Sequence, residues 1–171
     1  MPTHMEKTVS RAMGAAKKAK GTVQGLTGVF KTLMEEHGEV GALLMRVRSS
    51  KDLQTRARLW GTIRQELLAH EKGELAVVYP MYMQHPAIEP LAVEHNTQAS
   101  ELAALIEIID DTGLDDRQWT TRFDRLVKLV EKHVHQEESE IFPAGQRVFG
   151  GHTDALEKEY LQFKRTLLNQ V

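Results

Sequence analysis

The chain has 171 residues, no cysteine, 22 Lys and Arg against 24 Asp and Glu, and 41% hydrophobic content, a balance suited to one domain with a full-sized core. Without cysteine there is no disulfide framework, zinc ribbon, iron–sulfur cluster or thiol chemistry, so any metal must be held by nitrogen and oxygen. No apolar run exceeds the five residues of Leu75–Tyr79, against the ~20 that span a bilayer, and the N-terminus lacks the apolar core of a secretory signal; a cytoplasmic protein with no membrane span is expected.

Residues 1–22 form a basic arm on a domain expected over 23–171. Lys7, Arg11, Lys17, Lys18 and Lys20 face Glu6 alone, leaving the arm at +4 and the rest of the chain at −6. Met5, Val9, Ala12, Met13 and Ala16 recur at helical spacing, which predicts a short amphipathic helix. No aromatic residue interleaves the charges, so nucleic acid is not the expected partner; the arm docks on its own domain, or meets a protein partner or anionic surface.

From Gly25 onward the pattern is helical almost throughout. A first long helix over about 23–48 carries Phe30, Leu33, Met34, Val40, Leu44 and Val47 on its apolar face, with His37 among them. Ser49 and Ser50 break it and cap the next, with Asp52 in the first turn. The second helix, about 51–84, presents Leu59, Trp60, Ile63, Leu67, Val77, Val78 and Met81 together with His70 and Glu74, and Pro80 should kink it or end it early. Pro90 opens a third helix, to about Asp110, with Leu91, Leu102, Leu105, Ile109 and His95 on one stripe. After the Asp110–Gly113 turn, a fourth helix over about 115–148 aligns Trp119, Phe123, Leu126, Val130 and Ile141 with His133 and Glu137. Gly150 and Gly151 stop it, and Thr153 or Asp154 caps a last helix through Leu168, with Leu156, Tyr160, Phe163 and Leu167 inward. The expected class is all-α, an up-down-up-down four-helix bundle with an N-terminal basic segment and an additional C-terminal helix.

Each long helix thus carries a histidine where the core should be, and two add a glutamate four residues on. That spacing points imidazole and carboxylate the same way. One such histidine is ordinarily a hydrogen-bonded core residue. Four at matching depth, with buried carboxylates that need a proton, partner or cation, form a candidate site for a divalent or trivalent cation. The pattern also repeats: His70, Glu74 and Tyr79-Pro80 match His133, Glu137 and Phe142-Pro143 at an offset of 63, and Glu36-His37 matches Glu94-His95 at 58. Glu71 lies at the flank of the ligand face and is a possible additional ligand, whereas Glu94 and Gln98 suit solvent or a hydrogen bond to an imidazole. His135, about 200° around from His133, and His4, His85 and His152 belong to the surface. Tyr79 and Tyr82 lie too far along to be ligands, though a tyrosine there could hydrogen-bond an oxygen species.

The segments EEHGEV at 35–40, HEKGELAVVYP at 70–80, EHNTQ at 94–98 and HVHQEESEIFP at 133–143 resemble the hemerythrin-like family, or HHE domain. The resemblance implies two iron ions with a bridging oxo or hydroxo group: His37 and His70 on one, His95 and His133 on the other, Glu74 and Glu137 bridging. It departs from oxygen-carrying hemerythrins at Ala99, where they place a fifth histidine, and in the spacing of four between His133 and Glu137, where they use five. Both metals would keep open positions, which favours reaction with peroxide, dioxygen or nitric oxide over reversible carriage. A sensor or iron-handling module, and a reversible oxygen binder, are the alternatives.

Overall fold

The computed structural model describes residues 1–169, and every regular element among them is helical. Gln170 and Val171, the end of the expected domain, lie outside the described residues. Helix α1 spans His4–Val23, α2 Gly28–Ser49 and α3 Leu53–Gly73; a π-helical turn over Glu74–Val78 leads into α4, Tyr79–Met83. Helices α5, Glu89–Asp110, and α6, Arg117–Gln136, follow, then a second π turn over Glu137–Ile141, α7, Phe142–Phe149, and α8, Thr153–Leu168. None of these helices is long and apolar enough to cross a membrane.

The long helices bury apolar side chains in two clusters. One gathers Val40, Val47, Leu59, Trp60, Leu102, Ile109, Trp119 and Phe123. The other gathers Phe30, Met34, Tyr82, Ile88, Phe142, Phe149 and Tyr160. Helices α2 and α5 run from the second cluster to the first, α3 and α6 run back, and α2–α3, α3–α5, α5–α6 and α2–α6 are in contact. His37, His70, His95 and His133 fall between the clusters on all four.

Several boundaries differ from the sequence reading, each for a local reason. The first long helix starts at Gly28, not near 23, because α1 ends there in a Schellman turn: Leu26 N–H reaches Gly21 O at 2.9 Å, Gly25 N–H reaches Thr22 O at 3.1 Å, and Gly25 has φ 77°. Asp52, rather than Ser50, caps α3, accepting from Gln54 and Thr55 N–H. At the start of α8 the cap position is His152, and neither Thr153 nor Asp154 supplies a side-chain cap. The second and fourth helices are each interrupted by a π turn before a proline. Pro80 and Pro143 lack an N–H and would press on the carbonyl four residues back, and the wider turn accommodates both defects while the chain continues in the same direction.

Helix α1 docks along α2, but through the face opposite the predicted stripe. Met5, Val9 and Met13 are exposed, and Ala12 and Ala16 with them, while Glu6, Ser10, Gly14 and Gly21 are buried. The crossing explains this. A Cβ on Gly38 would lie 2.4 Å from Met13 O, and one on Gly14 2.9 Å from Glu35 O, so the backbones meet at two glycines. Polar bonds then select the register: Ser10 Oγ donates to Glu39 O at 2.9 Å, and Arg58 forks onto Glu6 with Nη2–Oε1 at 2.7 Å.

The Arg58 guanidinium, followed by the Thr3 cap bonds, holds Glu6 down at about 2 although burial opposes it. A depressed carboxylate stabilises the fold fully above its unfolded value and ceases to do so as pH falls through the folded one. Glu6→Gln is therefore expected to lower the denaturant midpoint at pH 7, with the gap from the native chain closing between about pH 4.5 and 2; chemical melts across that range check it.

Candidate metal centre

Helix geometry brings six predicted residues to one layer, all buried: His37 from α2, His70 from α3, Glu74 from the first π turn, His95 from α5, His133 from α6 and Glu137 from the second π turn. Glu71 joins them. Its Oε1 lies 2.8 Å from His133 Nε2, so this residue faces the site from α3. Glu94 is exposed and accepts from Gln98 Nε2 at 3.4 Å, away from the imidazoles. Among the described residues two groups have donor atoms close enough for one cation: His37, His70 and Glu137, and Glu71, Glu74, His95 and His133.

Glu137 spans the groups. Its Oε2 is 3.0 Å from His37 Nε2 and its Oε1 2.8 Å from His95 Nε2 and 3.8 Å from His133 Nε2. Glu74 Oε2 lies 3.6 Å from His70 Nε2 and 4.0 Å from His95 Nε2. Despite these approaches, Glu74 Oε2, both Glu137 oxygens and the Nε2 atoms of His95 and His133 are buried without a hydrogen bond. Imidazole nitrogens and carboxylate oxygens that converge in a buried layer with unmade hydrogen bonds fit a cation, and an imidazole and carboxylate set fits iron.

The electrostatics carry the same message. Burial would raise Glu137, but His133, His95 and His37 outweigh it and hold the carboxyl well below the usual range. Glu74 goes the other way: burial, then the charge of Glu137, pushes it up to about 7. Burial opposes charge on His70 and His95, yet Glu74 and Glu36 lift the first to about 9, and Glu137 and Glu74 lift the second to about 10. Two carboxylates this close need positive charge between them.

The aromatic repeat has a role here. Tyr79 stacks on His95 with centroids 5.2 Å apart, and Phe142 stacks on His37 at 5.6 Å, so the residue closing each π turn covers an imidazole of the other half. Tyr79 and Tyr82 hydroxyls are buried without partners. His135 and His152 are exposed, as is His4, while His85 is half-buried against Phe149. Sequence reasoning missed Glu36 and Glu138, which bond the outer Nδ1 atoms of His70 and His37, and Tyr160 and Lys164, which reach Glu36 from α8. The available signal was an acidic residue beside two motif residues, Glu36 before His37 and Glu138 after Glu137.

Residues 28–145 match the hemerythrin HHE cation-binding domain, and the chain belongs to that family. Over 135 residues it is 28% identical to a protein named DNA nickase from Nostoc sp. (strain PCC 7120). That alignment covers 79% of this chain and 38% of the relative, so the chain spans well under half of the relative's length. No solved structure is significantly similar. The family is one of cation-binding domains, and this chain carries two clusters able to hold a metal.

The opposed carboxylates separate by mutation. In chelator-treated protein, Glu137→Gln strands buried imidazolium charge and is expected to cost about 3–5 kcal/mol. Glu74→Gln should match the native chain near pH 4.5 and gain on it up to about pH 7, levelling off above, because a raised carboxylate destabilises once its unfolded form ionises. Denaturant melts of both variants at several pH values check the contrast.

Proposed function

We propose that the protein is a non-heme di-iron protein that binds or reacts with hydrogen peroxide, dioxygen or nitric oxide. The alternating helices and their ring of contacts support an up-down-up-down four-helix bundle around the centre, with α1 and α8 added outside it. His37 and His70 would hold one iron, His95 and His133 the other, Glu74 and Glu137 would bridge them with an oxo or hydroxo group, and Glu71 would add a carboxylate on the His133 side. Two irons, when bound, supply redox chemistry toward small oxidants. The observation that carries this reading is Glu137, one oxygen in each group and neither hydrogen-bonded.

The chain's own groups do the rest. A cavity of about 260 Å³ runs from Met1, Lys7 and Arg11 at the surface to His37, His70, Glu71 and His133, between Val40, Leu43, Leu67, Val130 and Val134. Apolar walls at this volume admit a small molecule and limit bulk water. Ala99, buried beside Gln98, offers no further imidazole to the His95 side. Nucleic acid is a less natural partner, since Lys17, Lys18 and Lys20 are paired with Glu138 and Glu35.

Anaerobic purification and metal analysis are expected to find about two irons per chain, with His70→Leu and His133→Leu each losing metal. Peroxide added to the iron-loaded protein should change its spectrum, with turnover marking an enzyme and a stable change marking a sensor or carrier. Zinc alone, or no metal, overturns the reading, and nicking of supercoiled plasmid by the same preparation would move it toward the activity named for the Nostoc relative. Val134→Trp is expected to slow the peroxide reaction about tenfold or more, about 1.4 kcal/mol of barrier, at unchanged metal content; stopped-flow traces check it.

A further inference from the structure

The four imidazoles are alike in sequence and unlike in how they are held. His70 Nδ1 lies 2.8 Å from Glu36 Oε2, and the same oxygen accepts from Tyr160 Oη at 2.6 Å and pairs with Lys164 Nζ at 2.9 Å. Lys164 is itself fixed by Glu66 at 3.0 Å. His37 Nδ1 lies 3.2 Å from Glu138 Oε1, and Glu138 is bound by Lys17 and, at 3.1 Å, by Lys20. On the other side, the Nδ1 atoms of His95 and His133 are buried with no partner, and the two rings stack at 3.7 Å.

A carboxylate on the outer nitrogen of an imidazole keeps the proton there, aims the inner lone pair at the metal and increases its donor strength. It does so only while the carboxylate itself is held in place. The groups that hold these two come from α1 (Lys17, Lys20) and α8 (Tyr160, Lys164), both beyond the matched family region of 28–145. Gly73 serves the same contact, since a Cβ there would lie 2.6 Å from the Tyr160 ring.

We infer that α1 and α8 are the outer support of the His37–His70 metal position and make its hold on a metal depend on them, with Tyr160, Lys164, Lys17 and Lys20 as positioning residues. This rests on the two-metal reading above. Loss of such an outer partner typically costs about 10–100-fold in metal affinity, whereas the His95–His133 position has none to lose.

The test loads chelator-stripped full-length protein with Co(II) and follows metal loss to excess chelator and the cobalt absorption bands. The native chain should lose cobalt in two phases of equal amplitude. The double variant Tyr160→Phe, Lys164→Met should speed one phase by roughly 10–100-fold, leave the other unchanged, and shift the bands of one equivalent only. Glu36→Gln, which leaves α8 intact, should speed the same phase, and Lys164→Arg should leave both phases as in the native chain. A single phase in the native chain, or equal acceleration of both phases in the variants, overturns the inference while leaving two-metal binding intact. A chain that takes up no cobalt or iron overturns both.

Discussion

Everything in this molecule answers to two carboxylates, Glu74 and Glu137, placed in the middle of a helical core at 1% and 0% exposure. A buried carboxylate costs several kcal/mol unless positive charge meets it, and here four imidazoles from four helices do so. The apolar clusters lie on either side of this layer, not through it, so helix register cannot slip without pulling an imidazole out of the plane. The π turns belong to the same constraint. Each begins at a bridging candidate, Glu74 or Glu137, and is followed directly by an aromatic residue that covers a histidine of the opposite half. The widened turn thus sets two side chains at once, a carboxylate inward and a ring above its neighbour.

The halves are related by an offset of 63 residues, and the differences between them matter more than the likeness. Glu71 maps to Val134 and Glu138 maps to Leu75. One half therefore sends an extra carboxylate toward His133, the other sends one to the outside of His37. Glu36 and Glu94 correspond as well, yet Glu36 is drawn inward by His70, Tyr160 and Lys164 while Glu94 is exposed. A repeated scaffold thus gives its two clusters of histidine and glutamate unequal surroundings.

Much of this was legible beforehand because it follows from periods. His37, His70, His95 and His133 sit on apolar stripes at 3.6-residue spacing, and the four-residue step to Glu74 and Glu137 fixes direction without any tertiary information. What was not legible depends on contact between distant segments. The stripe of Met5, Val9 and Met13 has the right period for burial and is exposed, because the glycine crossing at Gly14 and Gly38 and the ion pair of Glu6 with Arg58 decide which face meets α2. Period alone cannot weigh an apolar stripe against a close backbone approach. Tyr160 read as a core aromatic and is one, but its hydroxyl ends on Glu36, and Lys164 reads as a solvent residue until Glu36 and Glu66 are placed beside it.

The charge of the arm shows how a composition signal changes meaning once folded. An excess of +4 over 21 residues fits a tail docked on its own acidic domain as well as one that meets an external anion. Folded, Lys17 and Lys20 turn onto Glu138 and Lys18 onto Glu35, so much of that charge is matched within the chain. The acidic surplus of the rest of the chain and the basic surplus of the arm are then two sides of one arrangement: carboxylates crowded around histidines need nearby cations, and α1 brings them to the His37 side. The helix docks through Glu6, Ser10, Gly14 and Gly21 and leaves Met5, Val9 and Met13 exposed, the reverse of an ordinary amphipathic helix, while Lys17 and Lys20 reach Glu138 from the edge of that face.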